Sequence, residues 1–344
     1  MRRAVAALLF ALSSLLIVSL LHAQTERALR FDVPDEPTIP HGQRGTWDGQ
    51  YTDPGAVVYH DGVFHMFRNG FVGWPAPVHI AYHTSTDGLN WQMVGAEPII
   101  KAEDSPYDGL AVLASSALVE DDGTWVLYCY VWSDASSNPG MQIVRATAPA
   151  PTGPWTFRPE PVLSFGSAGA WDSYGVTVPT VVKSDDGYIM LYSGIFSRPP
   201  GSRIGLATSA DGITWTKYDD PTTTDPEFAE SDPVFVPEDV PWAADAAHQP
   251  RARLTPDGLV LLYRTFTRNQ QDISFGIALS DDGGVTWRSA ADEPALIWND
   301  PNVLEQIWFS ELEYADGQYF GFFEVNRGTT TNVHAAPLIG SLGG

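Results

Sequence analysis

With 344 residues, 44% of them hydrophobic, the chain can bury a full core, and its 19 basic against 42 acidic residues give a net charge of −23. Such a surface repels phosphate backbones, which excludes a nucleic-acid partner and leaves neutral ligands unpenalised. The single cysteine, Cys129, rules out an intrachain disulfide, so burial alone must hold the fold.

Arg2 and Arg3 precede an apolar run from Ala4 to Leu21, which ends in His22-Ala23-Gln24. This order of charged, apolar and small residues reads as a secretory signal over residues 1–23, cleaved after Ala23. An uncleaved anchor is the alternative, because about 18 apolar residues just span a bilayer. The expected location is secreted or on the exterior of the cell envelope, with residues 24–344 forming one domain.

From there the chain repeats. Five times an Asp-Gly or Asp-Asp-Gly turn joins two apolar, alternating runs, with turn aspartates at Asp61, Asp122, Asp186, Asp257 and Asp316. Asp-Gly between runs of period two is a strong hairpin signal. After each of the first four hairpins comes a strand, a polar turn and a strand opened by Trp91, Trp155, Trp215 or Trp287. Each unit thus holds four antiparallel strands, the content of one propeller blade.

The fifth unit lacks its fourth strand, since only "IGSLGG" follows the run near residues 332–338. The segment "RALRFDV" (27–33) has no other assignment and is expected to supply that outer strand and close the ring. The expected fold is all-β: a five-bladed β-propeller, monomeric, its ring closed by an N-terminal strand.

Five such blades with Asp-Pro or x-Pro inner strands and S-x-D-G-x-x-W turns resemble the five-bladed glycoside hydrolases. These include the family 43 arabinanases and xylosidases and the invertase-like fructosidases. The stretch "SDDGGVTW" (280–287) also fits the sialidase Asp-box, S-x-D-x-G-x-T-W, and is read as a hairpin device in which Asp caps turn amides.

Eight residues before each turn aspartate stand Asp53, Ala114, Val178, Gln249 and Trp308. Innermost strands line the propeller axis, so these positions should face one funnel, and only the first blade places a carboxylate there. Asp53 is therefore not the repeat's default residue. The resemblance implies that it is the general base or nucleophile. The matching later positions lack the family's acids, so a second carboxyl must come from elsewhere. Glu305 is the favoured acid and Asp172 a further catalytic candidate, with Glu311 and Asp245 as alternatives; Asp108 and Asp172 repeat one aromatic–Asp pair and stand level, and Asp108 and Asp245 are also candidate substrate contacts. His248 is a further candidate acid near neutral pH. Trp171, Trp242, Trp308, Gln249 and Arg251 are candidate substrate contacts, the indoles as sugar platforms and Arg251 as a donor fork. Trp47 and Trp74 belong to the same group of loop tryptophans.

No residue spacing supports zinc, and no phosphate-binding or nucleophile-elbow pattern is present. The expected partner is a carbohydrate, with no cofactor required, although a structural calcium stays open. Two function classes follow: a secreted hydrolase of poly- or oligosaccharides using two carboxylates with inversion, or a propeller that binds glycans without cleaving them.

Overall fold

The computed structural model describes residues 28–342, apart from 75, 108–110, 133–140, 197–200, 243, 268–272 and 299–304. Five antiparallel sheets are arranged as five blades, and the described helices are three single 3-10 turns. The first blade runs Tyr51–His60, Val63–Phe71, His79–Ser85 and Gln92–Met93. The second to fourth repeat that order, with inner strands Ala111–Val119, Gly175–Ser184 and Ala246–Thr255, and the third and fourth each gain a short fifth strand, Pro233–Phe235 and Leu296–Trp298, on their third strand. In the fifth, Glu305–Ala315, Gln318–Arg327 and Thr330–Ile339 are joined by Arg30–Phe31 from the start of the chain. Every fourth strand is only two residues long, so the edges presented to solvent are short.

Ring closure follows the sequence expectation, within a narrower segment. Arg30 pairs with Ile339 and Phe31 with Leu338, while the Phe31 N–H reaches the Ala295 carbonyl of the fourth blade at 3.0 Å. Phe31 also packs edge-on against Phe323, with ring centroids 5.2 Å apart. The proposed signal segment, residues 1–23, lies outside the described residues. No helix among those described is long and apolar enough to cross a membrane.

The S-x-D-G turns are local scaffolding, as the hairpin reading expected. In the fourth blade Asp282 Oδ1 accepts the Val285 and Thr286 N–H groups, Ser280 Oγ accepts that of Gly284, and the Trp287 indole donates to the Gly284 carbonyl. Asp87 and Asp211 accept the matching pairs of N–H groups in the first and third blades. Hydrogen bonds to its ionised form from Thr286 pull the Asp282 pKa down to about 2.

The axis is filled by charge rather than by apolar side chains. Arg251 Nε donates to the Ser310 carbonyl at 2.5 Å, and its Nη1 donates to Ser115 Oγ at 2.8 Å. Arg253 donates to Glu313, Glu311 and the Val57 carbonyl. Two arginines of the fourth blade thereby stitch it to the first, second and fifth. Arg251, expected as a substrate contact, spends these donors on the floor of the axis.

Candidate active site

The inner strands of the first, third and fourth blades carry a bulge at one level, and that of the fifth lies one residue farther from its turn. In the first blade Asp53 pairs with Asn69 and Ala56 with Phe67, so Pro54 and Gly55 share one opposing residue. In the third and fourth, the same register pairs Thr177 with Ser193 and His248 with Arg264, ahead of bulges at Val178-Pro179 and Gln249-Pro250. The level of Asp53 is thus occupied by Thr177 and His248, not by Val178 and Gln249. The hairpins of those two blades turn one residue earlier, at Asp185-Asp186 and Pro256-Asp257, which shifts a count made from the turn aspartates. Val178 and Gln249 instead sit in the bulges in left-handed backbone, at φ of 49° and 51°. Such conformations cost about 1–3 kcal/mol each for residues with a Cβ and concentrate at functional sites.

Asp53 is 2% exposed. Its Oδ1 accepts the Gly55 N–H at 2.7 Å and the Asn69 amide at 2.8 Å, while Oδ2 has no partner. Gly55 is required for this: at φ 60° any Cβ would stand 2.0 Å from the Phe67 carbonyl oxygen. Burial pushes the Asp53 carboxyl up to about 6, against the pull of those two hydrogen bonds and of Arg251 and Arg68. Behind it, Arg68 pairs with Asp48 at 2.6 Å and lies over the Trp47 ring.

A second buried carboxyl in the field of Asp53 is Glu324, which the sequence reading did not single out. It lies on the second strand of the fifth blade, opposite the Trp308-Phe309 bulge, 3% exposed and with Oε2 unpartnered. Burial and then the charge of Asp53 hold it well above the usual carboxylate range, while Thr331, Arg264 and the Phe309 N–H favour its ionised form. Measured from the hairpin turns, Asn69, Ser193, Arg264 and Glu324 occupy one level of the second strands. A comparison of second strands would have found Glu324, because a glutamate at that level is exceptional in the run "YFGFFEVN".

Further unpartnered polar atoms gather at this level: Tyr130 Oη, Thr177 Oγ1, Gln249 Oε1 and two nitrogens of Arg264. Tyr130 lies in the fields of both Asp53 and Glu324. Buried polar atoms are nearly always paired, so such a concentration marks a place where a polar ligand completes the bonding.

The other candidates distribute differently. Asp172 is fully buried and held by Lys217 Nζ at 2.5 Å, the Gly166 N–H at 3.1 Å and the Tyr192 hydroxyl at 3.4 Å. That environment is an ion pair to the outer strand of its own blade, and it removes Asp172 from the catalytic role expected for it. Trp171 is core rather than sugar platform: its indole donates to Ser231 Oγ and fills the space left by Gly194 and Gly205. Trp242 stacks on Tyr263 at 6.0 Å and donates to Thr265, again inside its blade.

His248 accepts from or donates to Ser202 Oγ at 2.7 Å. Burial, then Arg264 and Arg251, lower its pKa to about 3, which removes it as an acid near neutral pH. Trp308 is half-buried beneath Arg264, and Asp245 is exposed just before its inner strand. Trp74 is 43% exposed and adjoins Trp132 and Phe71, the tryptophan of the group best placed to meet a ring from solvent. Glu305 opens its strand opposite Arg327, and its side chain, like all of Asp108, lies outside the described residues. No group of three potential metal ligands occurs among the described residues.

Comparison with known proteins agrees with this architecture. A raffinose invertase of Escherichia coli is 27% identical over 182 residues, which make up 48% of this chain and 37% of that protein. The aligned part thus spans little more than a third of the curated relative. Among solved structures, a glycosyl hydrolase from Bacteroides ovatus superposes with TM-score 0.63 at 19% identity, covering 89% of this chain and 93% of that one. A family 117 glycoside hydrolase of Zobellia galactanivorans gives 0.59 at 15%, covering 91% and 90%. The GH32 β-fructofuranosidase of Bombyx mori gives 0.59 at 14%, covering 88% and 62%. At these identities the structures establish the fold. Residues 46–238, the first three blades with Asp53, match the model of the glycosyl hydrolases family 32 N-terminal domain, and the chain belongs to that family.

Proposed function

We propose that the protein is a glycoside hydrolase whose acid and base are Glu324 and Asp53. The observation that carries this reading is the pair itself: two buried carboxyls in each other's field, each with one unpartnered oxygen, in environments that hold one as an acid and the other as a base. Near neutral pH Asp53 is ionised, with its Oδ1 fixed by Asn69 and Gly55 and its Oδ2 free to act on water or on the anomeric carbon. Glu324 keeps its proton and delivers it to the leaving oxygen. In this reading the two carboxyls carry both proton transfers themselves, so chelation that leaves the fold intact should leave turnover unchanged. Separations of about 6.5–9.5 Å between the carboxyls imply inversion and about 5–5.5 Å retention, and proton NMR of the first sugar released reports which operates. The sequence-based expectation is inversion.

A screen of aryl glycosides tests the assignment. Asp53→Asn should abolish turnover on every substrate. Glu324→Gln should lose turnover of glycosides with poor leaving groups yet keep that of 2,4-dinitrophenyl glycosides, whose leaving group needs no proton. Equal loss on both kinds of leaving group would remove Glu324 as the acid. The apolar run before residue 24 supports export of the hydrolase, and sequencing the N-terminus of the mature protein checks it.

A second reading, a non-hydrolysing glycan-binding propeller, is favoured by one specific observation. The strained bulges of the third and fourth blades present a valine and an amide, Val178 and Gln249, in place of carboxyls. Glycan binding by a wild-type protein that turns over no glycoside would select it.

A further inference from the structure

Arg264 is a buried cation with no ion pair among the described residues. It is 5% exposed, and both Nε and Nη2 lack any hydrogen-bond partner. Its described contacts are aromatic: the guanidinium lies 5.5 Å from the Phe266 centroid and 5.8 Å from that of Trp308. Other buried arginines here are paired: Arg68 with Asp48, and Arg253 with Glu311 and Glu313. Glu324 acts on Arg264 through its field only, because no ion pair or hydrogen bond joins the two among the described residues. A desolvated, uncompensated guanidinium is costly, and a site retains one when a ligand supplies the missing charge.

The unpartnered atoms specify that ligand. Nε and Nη2 form one edge of the guanidinium, the edge that presents two parallel N–H groups to the two oxygens of a carboxylate. A sugar hydroxyl satisfies one such donor and leaves the charge in place. The edge also belongs to the catalytic level: Arg264 pairs in register with His248, and its field acts on Glu324. We propose that the subsite beside Asp53 and Glu324 takes an acidic sugar, and that Arg264 grips its carboxylate. This rests on the glycosidase reading of the same site. Binding the carboxylate cancels the cation that favours ionised Glu324, so the correct substrate strengthens the hold of Glu324 on the proton it must deliver. A sugar without the acid group leaves that cation exposed to the catalytic acid.

The test compares sugars that differ only at the acid group, in binding and in turnover. Calorimetry on the Asp53→Asn protein uses glucuronic and galacturonic acids against glucose and galactose. N-acetylneuraminic acid serves as a second placement of the carboxylate, and galactose 6-sulfate as a non-planar anion. At least one carboxylate sugar should bind about 100-fold more tightly than its neutral counterpart, as expected for a desolvated charge pair. Additional Arg264→Gln should erase that preference while sparing the neutral sugar. Arg264→Lys, a point charge without the fork, should restore only part of it. Thermal melting of Arg264→Gln should show no loss of stability, because an unpaired charge has been removed.

Turnover of 4-nitrophenyl uronides against hexosides by the wild-type protein should show the same preference. It should strengthen with added salt, which screens repulsion between substrate and the −23 chain. Acid sugars that bind through Arg264 without being cleaved would leave this inference standing and end the hydrolase reading. Cleavage of neutral glycosides alone would do the reverse. No acid sugar binding better than its neutral partner, tighter binding of the sulfate than of every carboxylate, or equal loss for both sugar kinds in Arg264→Gln, would overturn it.

Discussion

A carboxylate whose proton affinity is raised by the fold stores a conflict between stability and chemistry, and Asp53 is that residue. Its pKa stands near 6 in the folded protein against 3.8 for the free side chain. The folded state therefore binds the Asp53 proton more tightly than the unfolded state does. Ionising Asp53 costs nothing below about pH 4, and the cost grows as pH rises through 6, to about 3 kcal/mol. Asparagine keeps the shape and the acceptor for Asn69 and Gly55. Asp53→Asn should thus melt several degrees above wild type at pH 7.5, with the gain vanishing near pH 4, while turnover falls by about 100- to 10,000-fold. Calorimetric scans at the two pH values, with the rate measured alongside, separate this from simple loss of fold. The lower limb of the kcat/KM profile should fall near pH 6 and the upper limb well above the ordinary glutamate range, as two apparent values that belong to the pair.

At the scale of the strand, residue types repeat for structural reasons and depart from the repeat for functional ones. Trp171-Asp172 illustrates the first. The indole occupies the gap over Gly194, where a Cβ would lie 2.1 Å from the ring, and Trp47 fills the matching gap over Gly70 at 2.2 Å. Asp172→Asn should cost about 3 kcal/mol by stranding Lys217, yet leave the specific activity of the folded fraction intact. Urea unfolding paired with active-site normalised rates would expose any catalytic share. Gly194→Ala should destabilise by about 1–3 kcal/mol for the steric reason alone.

Legibility divides along the same line. The hairpins were readable because Asp-Gly turns and alternation are local, and Asp53 was readable because it breaks the pattern of the first strands. Glu324 and Arg264 were not, since they lie in mid-strand on second strands. Only counting from the hairpin turns along the second strands brings Glu324 and Arg264 to one level with Asn69 and Ser193. The level of His248 was misread by one residue for a related reason. A turn beginning at Asp185 or Pro256 rather than at the next aspartate changes which side chain faces the axis.

Across the whole molecule, a ring of blades is only as stable as its closure, since opening one seam lets neighbouring sheets separate. Here the seam depends on a two-residue strand, Arg30–Phe31, whose hydrogen bonds alone contribute little. The apolar contacts around it supply the rest. Leu29 and Phe31 belong to a core cluster shared by the fourth and fifth blades, with Phe275, Leu296, Phe323 and Leu338. Further along the same segment, Ile39 exchanges hydrogen bonds with Val333 and Thr38 Oγ1 accepts the Ala335 N–H, so the segment from Arg30 to Ile39 is fastened to the third strand of the fifth blade, Thr330–Ile339, twice. The two fastenings are not equivalent. The second lies nearer the first blade, while the first bridges to the fourth through Ala295. Removing the Phe31 ring should therefore loosen the fourth–fifth seam and leave the fifth–first seam closed. Phe31→Ala should lower stability by about 3–5 kcal/mol, and Phe31→Leu by clearly less. Amide exchange should rise along Leu296–Trp298 and the end of Thr330–Ile339 while the amides of Tyr51–His60 stay protected. Uniform exchange across all five blades in Phe31→Ala would show instead that the ring opens as one unit.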